Sequence, residues 1–535
     1  MILLAGASLL LSLIIGVFLT LVFLPSAHRQ TAGLLFRLFA GGGLGIGVTS
    51  CIYFVCLLTG LTRYTAAIDL VVCLVLGLIF FMRYGKKGLR KQKDLSSELQ
   101  LSLSRAGLSD KGDGSARRDL PVTRPARPRS PLHILTMVIF SAALVSSLIS
   151  FAIAFLKEPH GRWDAWLIWN MHARFLFRGG EGWREAFASG LDWSHWDYPL
   201  LLPLSIARGW TYTGGEGIHL PAVTGFFFTV LLLGLLLTSL SLLRGRIQGF
   251  LGAMVLMGTP FFITMGTSQF ADIPIAFFIL TTLVMLFCQA GAPENRPGAV
   301  ILAGLAAGLS AWTKNEGLLF FVIVAGSLLG TTAYAKGWGP SLRRTAWFLA
   351  GALPILMIVV YFKTVLAPTN DLVAGFGTSA LSEKLFDLSR YDRIARAFFI
   401  TGISFTQGLY DVRTGMHLNP GLVNVLLLAA YLLITGLHID QRDRTGLLQT
   451  ASVLLLMAAG YFFIYVLTPL DLHYHLMTSL NRLFLQLWPG VIFVVFMVAG
   501  PPEPAFLAGD GPETVPARSK PQHGQGGKTK KMEAK

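Results

Sequence analysis

Five short stretches of this chain hold the residue types that chemistry on a polar substrate needs. They are Trp163-Asp164-Ala165-Trp166, His195-Trp196-Asp197-Tyr198-Pro199, Ser268-Gln269-Phe270-Ala271-Asp272-Ile273-Pro274, Trp312-Thr313-Lys314-Asn315-Glu316-Gly317, and Asp471-Leu472-His473-Tyr474-His475 running on to Asn481-Arg482. A carboxylate such as Asp164, or failing that Asp272, can take the proton of a hydroxyl as it attacks. Two carboxylates facing one pocket repel unless a divalent metal ion or a shared proton relieves them, so Asp164 and Asp272 are also the candidate metal ligands. Lys314, Arg482 and His475 can stabilise negative charge growing on a phosphate. Asp197 and Glu316 complete the candidate substrate- and phosphate-binding set, with Glu316 also placed to pair with Lys314.

The first two stretches belong to Gly161–Pro203, which holds Asp164, Glu181, Glu185, Asp192, Asp197 and six of the eleven Trp. Carboxylates beside aromatic rings suit a sugar-like substrate, whose hydroxyls donate and whose ring faces are apolar. Each residue also has a plainer role. Asp164 between two Trp suits an interfacial helix cap, and Asp272 before Pro274 suits an ordinary helix start. Lys314 can snorkel, and Arg482 can anchor a helix at an interface.

The elements that must position these residues follow from composition. Soluble domains carry about 25% charged residues; this chain of 535 residues carries 13%, with mean hydropathy +0.61. Most of it must face lipid. The net charge of +16 is spread over short segments between apolar runs, which is the topogenic pattern of a membrane protein and argues against nucleic acid as a partner. All four Cys lie inside apolar runs, which disfavours a disulfide framework or a thiolate metal site.

A spanning helix needs ~20 mostly apolar residues, and that rule predicts thirteen spans in an all-α polytopic transmembrane fold. They cover 2–24, 35–61, 66–82, 132–156, 220–243, 247–265, 272–289, 298–312, 317–335, 346–366, 421–438, 447–467 and 483–500. The first run lacks a basic region before it, and His28, Arg29 and Arg37 follow it, so it reads as a span rather than a cleaved signal. Residues 1–82 form an N-terminal three-helix extension. Residues 83–130, with thirteen Lys or Arg against five Asp or Glu, form a basic cytoplasmic linker. Residues 131–500 form the transmembrane catalytic module and 501–535 a basic cytoplasmic tail.

With the linker inside, the remaining loops satisfy the positive-inside rule. The two long outer loops are nearly charge-balanced, six basic and seven acidic residues in 157–219 and five of each in 367–420. All five polar stretches then fall on the non-cytoplasmic face. Leu381, Leu385, Leu388, Ile394 and Phe398, interleaved with Lys384, Arg390, Arg393 and Arg396, predict an amphipathic helix on that face. Gly41–Gly43, and Gly304 with Gly308, read as close helix packing.

In order and sidedness these motifs resemble the GT-C superfamily of polytopic glycosyltransferases, which includes protein O-mannosyltransferases, aminoarabinose transferases of lipid A and lipopolysaccharide-core transferases. Asp164 matches the acidic residue of the first outer loop, and Ala271-Asp272-Ile273-Pro274 the Ala-Asp-x-Pro of the next. Asp197-Tyr198-Pro199-Leu200 and Thr313-Lys314 match two further motifs. The resemblance covers about 132–500. It implies a GT-C-like core in which a sugar moves from a polyprenyl-phosphate donor to a hydroxyl of a glycan, glycolipid or protein acceptor, with Asp164 as base. The apolar spans imply contact with membrane lipids, and the uncharged N-terminus and absence of organelle signals point to a bacterial inner membrane, with the active site facing the periplasm or exterior. Two other readings share the architecture: a transporter or lipid flippase, and an O-antigen ligase or polymerase. Transporters concentrate ionisable groups at mid-membrane and show inverted repeats with broken helices, which the sequence does not display.

Overall fold

The computed structural model describes residues 2–24, 31–84, 131–187, 194–290, 297–369, 378–404 and 420–501. The basic linker beyond Tyr84, Asp192, and the tail beyond Pro501 lie outside them. The fold is all-helical: 88% of it is helix, and among the described residues the only strand-like feature is one isolated bridge, Leu437 to Ala499. In chain order the helices are α1 (Ile2–Phe23), α2 (Thr31–Thr59), α3 (Thr62–Tyr84), α4 (Pro131–Lys157), α5 (Asn170–Arg178), α6 (Leu201–Thr213), α7 (His219–Leu243), α8 (Arg246–Met257) and α9 (Pro260–Thr267). There follow α10 (Asp272–Ala290), α11 (Gly298–Thr313), α12 (Asn315–Lys336), α13 (Trp338–Tyr361), α14 (Thr378–Phe386), α15 (Leu388–Ser404), α16 (Pro420–Thr435), α17 (Arg444–Leu467) and α18 (Leu472–Val498).

Ten helices are long and apolar enough to cross a bilayer, the architecture of an integral membrane protein. The expected thirteen spans are therefore not all present as single long helices. The sixth is broken at Gly258-Thr259-Pro260 into α8 and α9, which meet at 68°. Pro260 cannot donate to the preceding turn, so it starts a new helix. The eighth, α11, and the eleventh, α16, have only 16 residues each, about 24 Å of helix. The last begins eleven residues earlier than expected, at Leu472, which moves Arg482 from a loop into the third turn of α18. The expected surface helix is the pair α14 and α15. Ile394 is fully buried while Arg393 and Arg396 stay exposed. Arg390 turns inward instead, donating to the Tyr465 and Thr468 carbonyls at the end of α17.

The centre of the bundle is α10. It is apolar all round and buried along nearly its whole length, as a helix surrounded by other helices must be. Asp272 opens it. At its other end the Gln289 and Ala290 carbonyls accept from Arg344 and Lys336, so acid and basic residues mark opposite ends of one helix ~28 Å long.

The first three helices pack into the same unit. Gly41 and Gly45 lie against Gly16 and Ser12 so closely that a Cβ on Gly45 would stand 1.8 Å from the Ser12 carbonyl oxygen, the close approach that small residues permit between membrane helices. Asp69 of α3 and Arg208 of α6, both buried, meet at 2.7 Å. Tyr212 donates to the same carboxylate at 2.6 Å, and the Arg208 guanidinium also donates to the Ser8 carbonyl of α1. Together with Ser50 donating to the Leu201 carbonyl, these bonds hold α6 against α1, α2 and α3. Truncating one partner of a buried pair strands the other charge. Asp69→Ala or Arg208→Ala should each destabilise by ~3–5 kcal/mol, while the apolar double replacement Asp69→Leu with Arg208→Met should recover most of that. Thermal unfolding of the three variants in detergent checks the ordering.

Candidate functional site

Four polar segments far apart in sequence meet at the N-terminal end of α10. Asp272 opens that helix, where the dipole favours a negative charge. Lys314 is the single extended residue between α11 and α12. Gly317 lets α12 fold back at once, because a Cβ there would lie 1.9 Å from the Ser310 carbonyl oxygen. The tight turn projects Lys314 out of both helices and leaves Glu316 in the first turn of α12. Asp164 stands directly before a π-helical turn, Ala165–Trp169. Such turns widen a helix by one residue and recur at functional sites.

Arg482 joins these segments. Its Nη1 donates to Asp164 Oδ2 at 2.6 Å, while its Nε and Nη2 donate to Asp272 Oδ2 at 3.0 and 2.8 Å. The guanidinium lies 4.8 Å over the Phe270 ring. Asp272 Oδ1 accepts from Lys314 Nζ at 3.1 Å and from Gln486 Nε2 at 2.8 Å. Gln486 is itself held by the Tyr461 hydroxyl. Lys314 also pairs with Glu316 at 2.8 Å. Burial alone would lower the Lys314 ammonium, but Asp272 and Glu316 outweigh it and raise its pKa, so it stays charged.

A second cluster sits beside the first. Asn315 donates to Asp197 Oδ2 at 2.7 Å and accepts from Lys363 Nζ at 2.7 Å, and Lys363 also donates to the Asp197 carbonyl. Lys363 comes from a second π-helical turn, Phe362–Leu366. Tyr198, next to Asp197, stacks on Trp169 and His195. Burial, with Glu316 and Asp197 nearby, pushes its phenol well above the usual value and keeps it protonated.

Asp164, Asp272, Lys314, Glu316 and Arg482 thus come together as the sequence motifs suggest, with Asp197 alongside. Comparison of the chain with protein-family models, with curated proteins and with solved structures found no match. The site must therefore be judged on its own geometry.

That geometry reassigns two residues. Both oxygens of the fully buried Asp272 are taken by cations and an amide, so it is a poor base and a strong anchor for Arg482 and Lys314. The carboxylate pair does not fit a divalent ion either. Arg482 already sits between Asp164 and Asp272, and among the described residues no group of three or more His, Cys, Asp or Glu is placed to hold a metal ion. The side chain of Asp164 is 22% exposed and its Oδ1 makes no hydrogen bond among the described residues. Glu316, 16% exposed, bonds through Oε1 alone among the described residues. These two carboxylates can accept a proton. His475 stands apart, bonded to Thr468 and tilted against Tyr465.

Three further contributors are not among the candidate residues that the sequence singles out. Gln486 had a signal, since it lies four residues from Arg482 on the same helix face. Asn315 lay inside a quoted motif. Lys363, a lone ionisable residue in an apolar run, is a functional candidate by default.

The loop behind Asp164 depends on a neutral histidine. His172 is fully buried, stacked at 3.7 Å on Trp196, and its Nε2 donates to the Ser194 carbonyl at 2.9 Å. Burial drops its pKa from 6.5 to about 3. The unfolded chain therefore binds the extra proton first. Stability present above about 6.5 is lost progressively as pH falls toward about 3, amounting to about 2 kcal/mol by pH 5. Thermal melts at pH 7 and pH 5 should show this loss, and His172→Gln should flatten it.

Proposed function

We propose that this chain is an integral membrane glycosyltransferase of the GT-C kind, which moves a sugar from a polyprenyl-phosphate donor to an acceptor hydroxyl. The observation that carries this reading is the bridge from Arg482 to both Asp164 and Asp272, which puts a base with one open oxygen beside two anchored cations. The basic residues Lys336 and Arg344 at the far end of α10 support a non-cytoplasmic position for the site.

In this reading Asp164 accepts the acceptor's proton as the acceptor oxygen bonds to the anomeric carbon. The bond from that carbon to the phosphate oxygen breaks, and its electron pair leaves on the lipid phosphate. Arg482 uses three of its five N–H groups on Asp164 and Asp272, and Lys314 two of its three on Asp272 and Glu316. The remaining donors are available to that phosphate. Aromatic residues near the site, Tyr198 and Trp166 among them, suit a sugar ring.

A transporter is the second reading, favoured by the 68° break between α8 and α9 and by the buried Asp69–Arg208 pair. One experiment separates the two. Full-length protein in nanodiscs is offered polyprenyl-phosphate sugars one at a time, and release of free polyprenyl phosphate is followed. Asp164→Asn should cut turnover ~10²–10⁴-fold with folding and donor binding intact, whereas Asp272→Asn should destabilise the protein by ~3–5 kcal/mol. Unchanged turnover in Asp164→Asn moves the base to Glu316. No consumption of any donor by wild type defeats the transferase and leaves the transporter.

A further inference from the structure

A cleft of about 430 Å³ opens beside the site, lined by residues at the end of α4 and the start of α5: Lys157, Glu158, His160, Trp166, Asn170 and Arg174. Its volume falls in the ~300–1,000 Å³ range of small-molecule sites. None of these residues belongs to the Arg482 cluster. One wall is the indole of Trp166, 49% exposed and tilted against Trp163, with ring centroids 5.6 Å apart.

The polar lining is uneven in a telling way. Asn170 is 3% exposed, and its Nδ2 donates to Gln269 Oε1 at 2.9 Å and to the His160 carbonyl at 3.4 Å. Its Oδ1 is buried without a partner. A buried acceptor left unmatched costs about 1–3 kcal/mol, and a ligand hydroxyl would recover it. Around it the Lys157 ammonium and His160 ring have no hydrogen bond or ion pair among the described residues. Arg174 reaches Glu216 only at 3.5 Å, whereas Glu158 is already paired with Arg162 at 2.9 Å. The cleft thus offers an apolar platform, one unmatched acceptor and spare positive charge.

We propose that this cleft binds an anionic saccharide, and that it is the acceptor side of the active site. A sugar ring lies on Trp166, a hydroxyl donates to Asn170 Oδ1, and a carboxylate or phosphate on the sugar meets Lys157 and Arg174. Trp166 lies within the π-helical turn that Asp164 precedes, so a saccharide held on the indole sits within about one helix diameter, ~10–12 Å, of the base. Asn170 also ties the cleft to the donor side, because Gln269, its partner, stands at φ 62° three residues before Asp272. The assignment to the acceptor rests on the transferase reading; saccharide binding itself does not.

The test is calorimetry on the full chain in phosphatidylcholine nanodiscs without donor, using trigalacturonate and, at equal ring count, maltotriose. Trigalacturonate should bind about tenfold tighter than maltotriose, equivalent to ~1.4 kcal/mol. Trp166→Ala and Arg174→Gln should each weaken it fivefold to tenfold, and Trp166→Tyr should retain it. No binding of trigalacturonate at millimolar concentration, equal affinity for the neutral sugar, or indifference to Trp166→Ala in a variant that melts like wild type overturns the proposal. So does loss of binding in discs carrying phosphatidylglycerol, which would assign the cleft to lipid headgroups. Turnover without cleft binding defeats this inference alone, and cleft binding without turnover defeats the transferase reading alone.

Discussion

Everything at this site depends on one partly buried guanidinium. Arg482 lies 318 residues from Asp164 and 210 from Asp272 in sequence, yet it holds both carboxylates. Without it two negative charges would face each other at the end of a helix, one of them fully buried. Arginine suits this position better than lysine, because its planar fork donates in several directions at once and does not give up its proton when buried. Phe270 beneath the guanidinium fills the face that hydrogen bonds cannot use. The four segments carrying Asp164, Asp272, Lys314 and Arg482 are therefore fixed relative to one another by a single side chain and its immediate partners.

The bundle is organised to make that meeting possible. A helix buried on every side can deliver a charged residue only at its ends, and α10 does so with Asp272. The Lys314 turn is a single residue long because Gly317 allows α12 to lie directly on α11. The segment leading to α6 carries Asp197, and α6 is gripped from behind by Ser8, Ser50 and Asp69 of the first three helices. These helices thus have a structural role, bracing the wall of the site from the side away from Arg482. The buried Asp69–Arg208 pair is a costly way to do that, since desolvation consumes much of its attraction. It fixes one register of α6 that an apolar contact would leave free to slide.

Much of this was legible in the sequence, because membrane proteins obey few rules and obey them strictly. Apolar length and the placement of Lys and Arg mark the helices. A polar residue at a helix end stands out against the apolar background, which is why Asp164, Asp272, Lys314 and Arg482 could be named together. Length rules failed where local backbone chemistry overrode them, at Pro260 and in the short helices α11 and α16. Roles were harder than membership. Asp272 and Asp164 look alike in sequence, and only three-dimensional partners distinguish an anchor with both oxygens occupied from a carboxylate with one open. Arg482 could be named as a cation for phosphate, but nothing in a linear chain says that it also neutralises the carboxylates as a metal ion would. Lys363 and Gln486 carried only generic signals, a lone charge in an apolar run and a place one turn from Arg482, and their roles lie in the neighbours they reach.

The charge count around Arg482 carries the proposed chemistry one step further. Asp164, Asp272 and Glu316 contribute three negative charges against two positive ones from Arg482 and Lys314, and the Asp197–Lys363 pair adds nothing net. The resting cluster is therefore negative by one charge and repels a phosphate dianion. Proton transfer from an acceptor hydroxyl to Asp164 removes that charge. It also weakens the hold of Asp164 on Arg482 Nη1, at the moment when negative charge is growing on the departing phosphate. The base and the cation are then two ends of one device, and the guanidinium's positive charge passes from carboxylate to leaving group as the proton arrives. A site built this way stays closed to free phosphate at rest and becomes hospitable to it only along the reaction, which is the differential stabilisation that catalysis requires.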